Sequence, residues 1–168
     1  MKKIGLFYSF NTKKTSQAAS RIAENLGEEN IDPVNVEEIT VEKFTAYDNM
    51  ILGVPTWFDG ELPNYWDEFV PAIEDIDLKG KKVAIYGAGD QKGYPENFVD
   101  GIGLMAEILE KQGVTIVGFT STEGYTFESS KAVRGNKFAG LALDFENEPK
   151  KNKERIARWC EQLKKEFT

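Results

Sequence analysis

Residues 49–63 read Asn49-Met50-Ile51-Leu52-Gly53-Val54-Pro55-Thr56-Trp57-Phe58-Asp59-Gly60-Glu61-Leu62-Pro63, and this stretch decides the fold. Its first part is a continuous apolar run without polar alternation. That is the pattern of a strand buried on both faces, as in parallel sheets covered by helices. Its second part is a loop bounded by prolines that places a tryptophan where solvent is expected. In an open parallel sheet, ligands sit beyond the carboxyl ends of the strands. The loop from Pro55 to Pro63 therefore leaves the sheet on the side where function collects.

On the N-terminal side, Lys3 to Tyr8 gives a first strand and Thr15 to Leu26 a helix, with Ala18, Ala19, Ile22, Ala23 and Leu26 on one face. Val34 to Ile39 alternates apolar and polar residues, as an outer strand would. Asn64 to Glu74 reads as a helix with Trp66, Phe69, Val70 and Ile73 inward, and Lys82 to Tyr86 as another buried strand. Glu96 to Gln112 is a helix weakened by Gly101 and Gly103, Val114 to Phe119 begins a fifth strand, and Lys150 to Phe167 is a closing amphipathic helix. The alternation predicts an α/β fold: a doubly wound, mostly parallel five-stranded sheet with helices on both faces and right-handed crossovers. The polar segment Thr120 to Lys137, ahead of Phe138-Ala139-Gly140-Leu141-Ala142-Leu143, reads as an insertion that splits the fifth strand in two. No repeat or linker interrupts the chain, so residues 1–168 are expected to form a single domain.

Composition narrows the chemistry. The chain has 168 residues, no histidine and one cysteine. Ser-His-Asp and Cys-His catalysis, imidazole ligation, disulfides and Cys-rich metal or iron–sulfur sites are thereby excluded. Cys160, within a helical pattern, is expected to be a buried structural thiol. Group-transfer or redox chemistry must rest on carboxylates or a bound organic cofactor. A net charge of −7 disfavours nucleic acid and anionic membrane surfaces, and it suits basic faces on other proteins. No apolar run reaches the roughly 20 residues of a membrane span, and no signal-peptide pattern follows the first strand. A cytoplasmic location is the resulting expectation.

Three loops leave the carboxyl edge. The first, Ser9-Phe10-Asn11-Thr12-Lys13-Lys14-Thr15, stands directly ahead of a helix, where hydroxyls and unpaired N–H groups make an anion site. Alone, it could equally be an N-cap; it lacks the spacing of a nucleotide-binding Gly-x-x-x-x-Gly-Lys loop. The second is the Trp57 loop. The third, Gly87 to Phe98, carries Gly89, Asp90, Tyr94 and Asn97. Either aromatic alone could simply cap the core. Both together, facing an anion loop, point to a planar phosphorylated cofactor.

At these residues the chain resembles the flavodoxins of the long-chain type over essentially its whole length. The matching stretches are Ile4-Gly5-Leu6-Phe7-Tyr8, Pro55-Thr56-Trp57, Gly60-Glu61-Leu62, Gly89-Asp90-Gln91, Gly93-Tyr94, Ser121-Thr122-Glu123-Gly124-Tyr125 and Gly140-Leu141-Ala142-Leu143-Asp144. The resemblance implies strand order 2-1-3-4-5, bound FMN and low-potential one-electron transfer rather than enzymatic turnover. It also implies that Trp57 and Tyr94 flank the isoalloxazine, that Thr12, Lys14 and Thr15 hold the phosphate, and that Asp90 meets the pyrimidine edge. Thr56, Asn97 and Glu146 fall toward the ribityl phosphate end. The expected cofactor-binding set is completed by Ser9, Phe10, Asn11, Lys13, Pro55, Phe58, Asp59, Gly60, Gly87, Gly89 and Phe98.

In the family a peptide after the tryptophan turns over on reduction, here within Phe58-Asp59-Gly60, which implies a stabilised neutral semiquinone. The acidic residues Asp59, Glu61, Asp90 and Glu96 are expected to lower the second potential. Implied partners are a flavodoxin/ferredoxin–NADP reductase and a low-potential redox enzyme, met through an acidic surface by a monomer. Two positions depart from the family's hydroxyl-x-Thr-Gly-x-Thr phosphate loop: Phe10 replaces the first hydroxyl and Lys13 the glycine. A lost hydrogen bond costs ~1–3 kcal/mol. If the glycine position needs φ > 0, Lys13 adds strain of about 1 kcal/mol. The competing readings are an FMN-dependent quinone reductase-type enzyme and a binding or regulatory module with weakened FMN binding.

Overall fold

A computed structural model describes residues 2–167. In chain order its elements are β1 (Ile4–Tyr8), α1 (Lys14–Leu26), β2 (Ile31–Asn35), α2 (Val41–Thr45), β3 (Asn49–Gly53), α3 (Asn64–Asp67), α4 (Val70–Ile73), β4 (Lys82–Ala88), α5 (Asp100–Glu110) and β5 (Thr115–Val117). They continue with β6 (Thr120–Ser121), β7 (Val133–Arg134), β8 (Lys137–Phe138), β9 (Leu141–Leu143) and α6 (Pro149–Glu166). The main sheet runs β2-β1-β3-β4-β5 with every pairing parallel, the expected order.

The apolar strands bury both faces because each alternates between two cores. Phe7, Met50, Leu52, Val83 and Ile85 face α3, α4 and α5. Ile4, Leu6, Ile51, Ala84 and Tyr86 face α1 and α6. The fifth strand is divided as expected: β5 pairs with the first half of β4 (Lys82 opposite Thr115), and β9 with its second half (Tyr86 opposite Leu141). Between them the insertion folds into a small antiparallel sheet, β6-β8-β7.

Three elements differ from the sequence expectation by more than two residues. The second strand occupies 31–35 rather than 34–39, and Val36–Glu38 form a 3₁₀ turn capped by the Asn35 side chain. Pro33 lies within this strand, which is at the edge of the sheet, where a residue without an N–H is tolerated. The helix expected over 64–74 is two short turns, α3 and α4. Pro71 has no N–H to offer the Asp67 carbonyl, which breaks the ladder. The helix expected from Glu96 starts at Asp100, after Val99 in the left-handed region at φ 46°.

Candidate cofactor-binding site

The first loop is shaped by its own hydrogen bonds. The Ser9 carbonyl accepts from the Thr12 N–H (3.3 Å) and hydroxyl (2.7 Å) and from the Ser16 hydroxyl (3.3 Å), folding residues 9–16 around it. The N–H groups of Lys13, Lys14, Thr15 and Ser16 have no protein partner among the described residues, as the first turn of a helix dictates. Lys13 has φ −93°, so its side chain carries no left-handed strain. The position does not use the freedom of glycine, and the strain raised by the sequence does not arise. Tyr86 reaches across from β4 to donate to the Thr15 carbonyl at 3.0 Å. A Cβ on Gly53 would meet the Tyr86 hydroxyl at 2.6 Å and Thr15 Cγ2 at 2.8 Å. The bare backbone of β3 is thus what lets the start of α1 sit so close to the sheet.

The second loop is a tight hairpin. Trp57 and Glu61 exchange two backbone hydrogen bonds of 2.8 Å each. The three residues between them turn through Phe58 at φ 50° and Gly60 at φ 95°. Trp57 is fixed from beneath by Tyr65, ring centroids 5.6 Å apart, while Phe58 is 73% exposed beside it. Gly60 is buried against Asn97 and Asp100, and the Thr56 hydroxyl accepts from the Gly101 N–H at 2.8 Å. The hairpin is therefore fastened to the start of α5.

In the third loop the Asp90 carboxylate accepts from the N–H groups of Lys92 (3.2 Å) and Gly93 (2.8 Å) and from Asn147 Nδ2 (2.8 Å). The Gly93 N–H, then Asn147, hold its pKa below the usual carboxylate range. A single oxygen, Oδ1, takes these bonds and shapes the turn that presents Tyr94, itself 53% exposed. Next to it Gln91 is buried. Its amide nitrogen donates to Asp144 (2.8 Å) and Glu148 (2.6 Å), and its oxygen accepts from the Thr126 N–H in the insertion (2.6 Å). Asp144, fully buried, also accepts from the Gln91, Glu146 and Asn147 N–H groups and from Asn147 Nδ2. Burial opposes its ionisation, but the hydrogen bonds of Asn147 and Gln91 prevail and its pKa is lowered.

These loops enclose one cleft of about 730 Å³ at the carboxyl ends of β1, β3 and β4, a size typical of small-molecule sites. Thr12, Lys13, Lys14 and Thr15 line one end. Pro55, Thr56, Trp57 and Phe58 form one wall, and Gly89, Asp90, Tyr94 and Asn97 the other. Glu146 also lines the cleft and forms an ion pair with Lys14. The other expected residues lie outside the lining. Ser9 and Asn11 turn toward Glu37, Phe10 packs on Tyr8 at 4.9 Å, and Asp59 is exposed at the hairpin tip. Gly60 lines a separate groove of about 640 Å³ shared with Trp57 and Phe58, Gly87 lies within β4, and Phe98 is buried against Tyr125, Phe127 and Phe138. Ala88 and Phe145 line the cleft without having been singled out. Their signal was their place at the ends of β4 and β9, legible only once those strands are paired.

A parallel doubly wound sheet whose switch-point cleft joins an anion-ready helix start to two aromatic walls defines a protein that holds a planar phosphorylated cofactor. The family is shown by comparison: the flavodoxin family model matches residues 6–159, and the chain belongs to the flavodoxin family. It is 44% identical over 168 residues to the flavodoxin of Synechococcus elongatus, covering 99% of both chains. With flavodoxin 1 of Escherichia coli it shares 40% over 164 residues, 97% of this chain and 93% of that one. The crystal structure of Fusobacterium nucleatum flavodoxin bound to flavin mononucleotide superposes with a TM-score of 0.94 at 38% identity, covering 100% of both chains. A K13G variant of that protein has also been solved with flavin mononucleotide bound, at the same TM-score and identity.

Proposed function

We propose that this chain is a low-potential one-electron carrier that holds FMN non-covalently in the cleft between Trp57 and Tyr94. One observation carries the reading: the unpaired N–H groups at the start of α1 and both aromatic walls open into a single cavity. Bound FMN would supply the one-electron chemistry through its ring.

The residues fit that group. A phosphate at the start of α1 would receive the N–H groups of Lys13 to Ser16, the Thr15 hydroxyl and the charges of Lys13 and Lys14. Trp57 and Tyr94 would cover the ring faces and exclude water. The 89–94 turn, pinned by Asp90 and Gln91, would meet the ring's polar edge through its backbone. Asp59, Glu61 and Glu96, on the loops that carry the aromatic walls, are exposed. Their charges act through solvent and lower the potential only modestly.

Residues 1–168 form one domain of the long-chain type in this reading, working as a cytoplasmic monomer. A flavodoxin/ferredoxin–NADP reductase and a low-potential redox enzyme would meet it through the acidic surface. The net charge of −7 supports that surface, and no helix among the described residues is long and apolar enough to cross a membrane. Titrating the apoprotein with FMN should quench flavin fluorescence at one equivalent, and anaerobic titration should show two separated one-electron steps. Absence of binding, or a single two-electron step, would overturn the reading. Association with the reductase should weaken as salt rises.

A further inference from the structure

Residues 9–11, which precede the phosphate-facing turn, are held from outside their own loop. Glu37, in the 3₁₀ turn after β2, accepts at a single oxygen (Oε2) from the Ser9 hydroxyl (2.5 Å) and from Asn11 Nδ2 (2.8 Å). The Ser9 hydroxyl in turn accepts from the Asn11 N–H at 3.3 Å. Asn35, at the end of β2, accepts from the N–H groups of Phe10 and Glu37, both at 3.2 Å. Both polar side chains of the 9–11 segment are thereby committed to the turn that follows the edge strand. Thr12 then hangs from the Ser9 carbonyl by two bonds.

We propose that Glu37 is a positioning residue for the phosphate. Its carboxylate fixes Ser9 and Asn11, so that the N–H groups ahead of α1 converge on one point despite Phe10 in place of a hydroxyl. The inference rests on the cleft being an FMN site. A carboxylate this close to the phosphate loop also repels a dianion, so its two effects oppose each other. Organising the loop strengthens binding by sparing the ordering cost on association, whereas charge alone weakens it. The sign of the mutational effect therefore separates them.

The test is titration of the apoprotein with FMN and with riboflavin, which carries the same ring without the phosphate. Glu37→Ala should weaken FMN binding about tenfold or more, the scale of one or two lost hydrogen bonds. It should leave riboflavin binding within about twofold. Glu37→Gln, whose amide oxygen can still accept both bonds, should retain FMN affinity within about threefold. Ser9→Ala removes one of those bonds and should weaken FMN selectively; it serves as the test if the Glu37→Ala apoprotein does not fold. Tighter FMN binding in both Glu37 variants would assign a charge effect only and overturn the proposal. So would equal weakening of FMN and riboflavin, which would mark general loosening. If the unmodified chain binds riboflavin but gains nothing from the phosphate, the proposal falls while the ring site stands. If it binds neither flavin, the cofactor reading itself falls, and this inference with it.

Discussion

At Gly53 the absence of a side chain is a structural requirement. The space its Cβ would take is filled by the Tyr86 hydroxyl and by Thr15 Cγ2, and Tyr86 uses that position to hold the first turn of α1 by the Thr15 carbonyl. Gly53→Ala should cost about 1–3 kcal/mol, the usual range for overpacking a closed site, measured as a fall in the urea midpoint of the apoprotein. Because Thr15 must move, FMN binding should weaken as well; unchanged affinity would show that the start of α1 tolerates displacement. Residue identities at this scale were legible as types, but their directions were not. Asp90, read as a cofactor contact, lines the cleft and through Oδ1 also bonds its own turn. Ser9, expected in the cofactor-binding set, instead donates to Glu37. A short polar side chain bonds whichever donor or acceptor folding brings within 3 Å, and Ser9 and Glu37 are 28 residues apart.

Among the elements, α5 shows local preference yielding to packing. Gly101 and Gly103 make it a poor helix by propensity, yet it runs through both from Asp100 to Glu110. A Cβ on Gly103 would lie 2.2 Å from the Lys131 carbonyl oxygen and 2.7 Å from the Ala132 nitrogen. The insertion's backbone thus rests directly on the helix. Gly103→Ala gains about 1 kcal/mol in helix propensity, but it forces rigid backbone apart. We expect net destabilisation in denaturant unfolding and loss of amide protection around 131–132. Net stabilisation would mean that the insertion can lift off freely. In α6, Cys160 is fully buried, and burial pushes its thiol pKa up to about 12. It should resist thiol reagents in the native protein at pH 8 and react fully only once unfolded. The helix periods and buried strands were readable because they repeat every few residues. The split of 64–74 was also written locally, in Pro71, beneath the apolar period that masks it, whereas the late start of α5 was not, since it turns on a left-handed Val99.

For the molecule as a whole, Asp144 is the joint of three segments: the Tyr94 loop, the insertion and the start of α6. Gln91 links it to Thr126. Glu148 carries the connection to Arg155, whose guanidinium lies 4.0 Å over the Tyr125 ring. Three carboxylates of this knot, Asp90, Asp144 and Glu148, have lowered pKa values in the fold. A depressed folded pKa adds stability that is present above the unfolded value of about 4 and lost as pH falls through the folded value. Stability should therefore hold from neutral pH down to about 4 and then drop steeply. Asp144→Asn should flatten that acid limb. At pH 7 it should cost about 2 kcal/mol or more, because its amide group faces donors already pointing at the site. An unaltered acid limb in this variant would assign the pH dependence to other groups.

The strand run, the helix faces, the divided fifth strand and the exclusion of histidine and cysteine chemistry follow from local periodicity or composition alone. Local pattern also marked the two aromatic loops and the helix start that share the cleft. Only the tertiary structure decided that Lys13 sits without strain, that Phe98 belongs to the core, and that Phe145 reaches the cleft. It alone showed that Glu37 and Asp144 hold the loops. Those outcomes rest on hydrogen bonds and contacts between residues distant in the chain, whose partners no local pattern specifies.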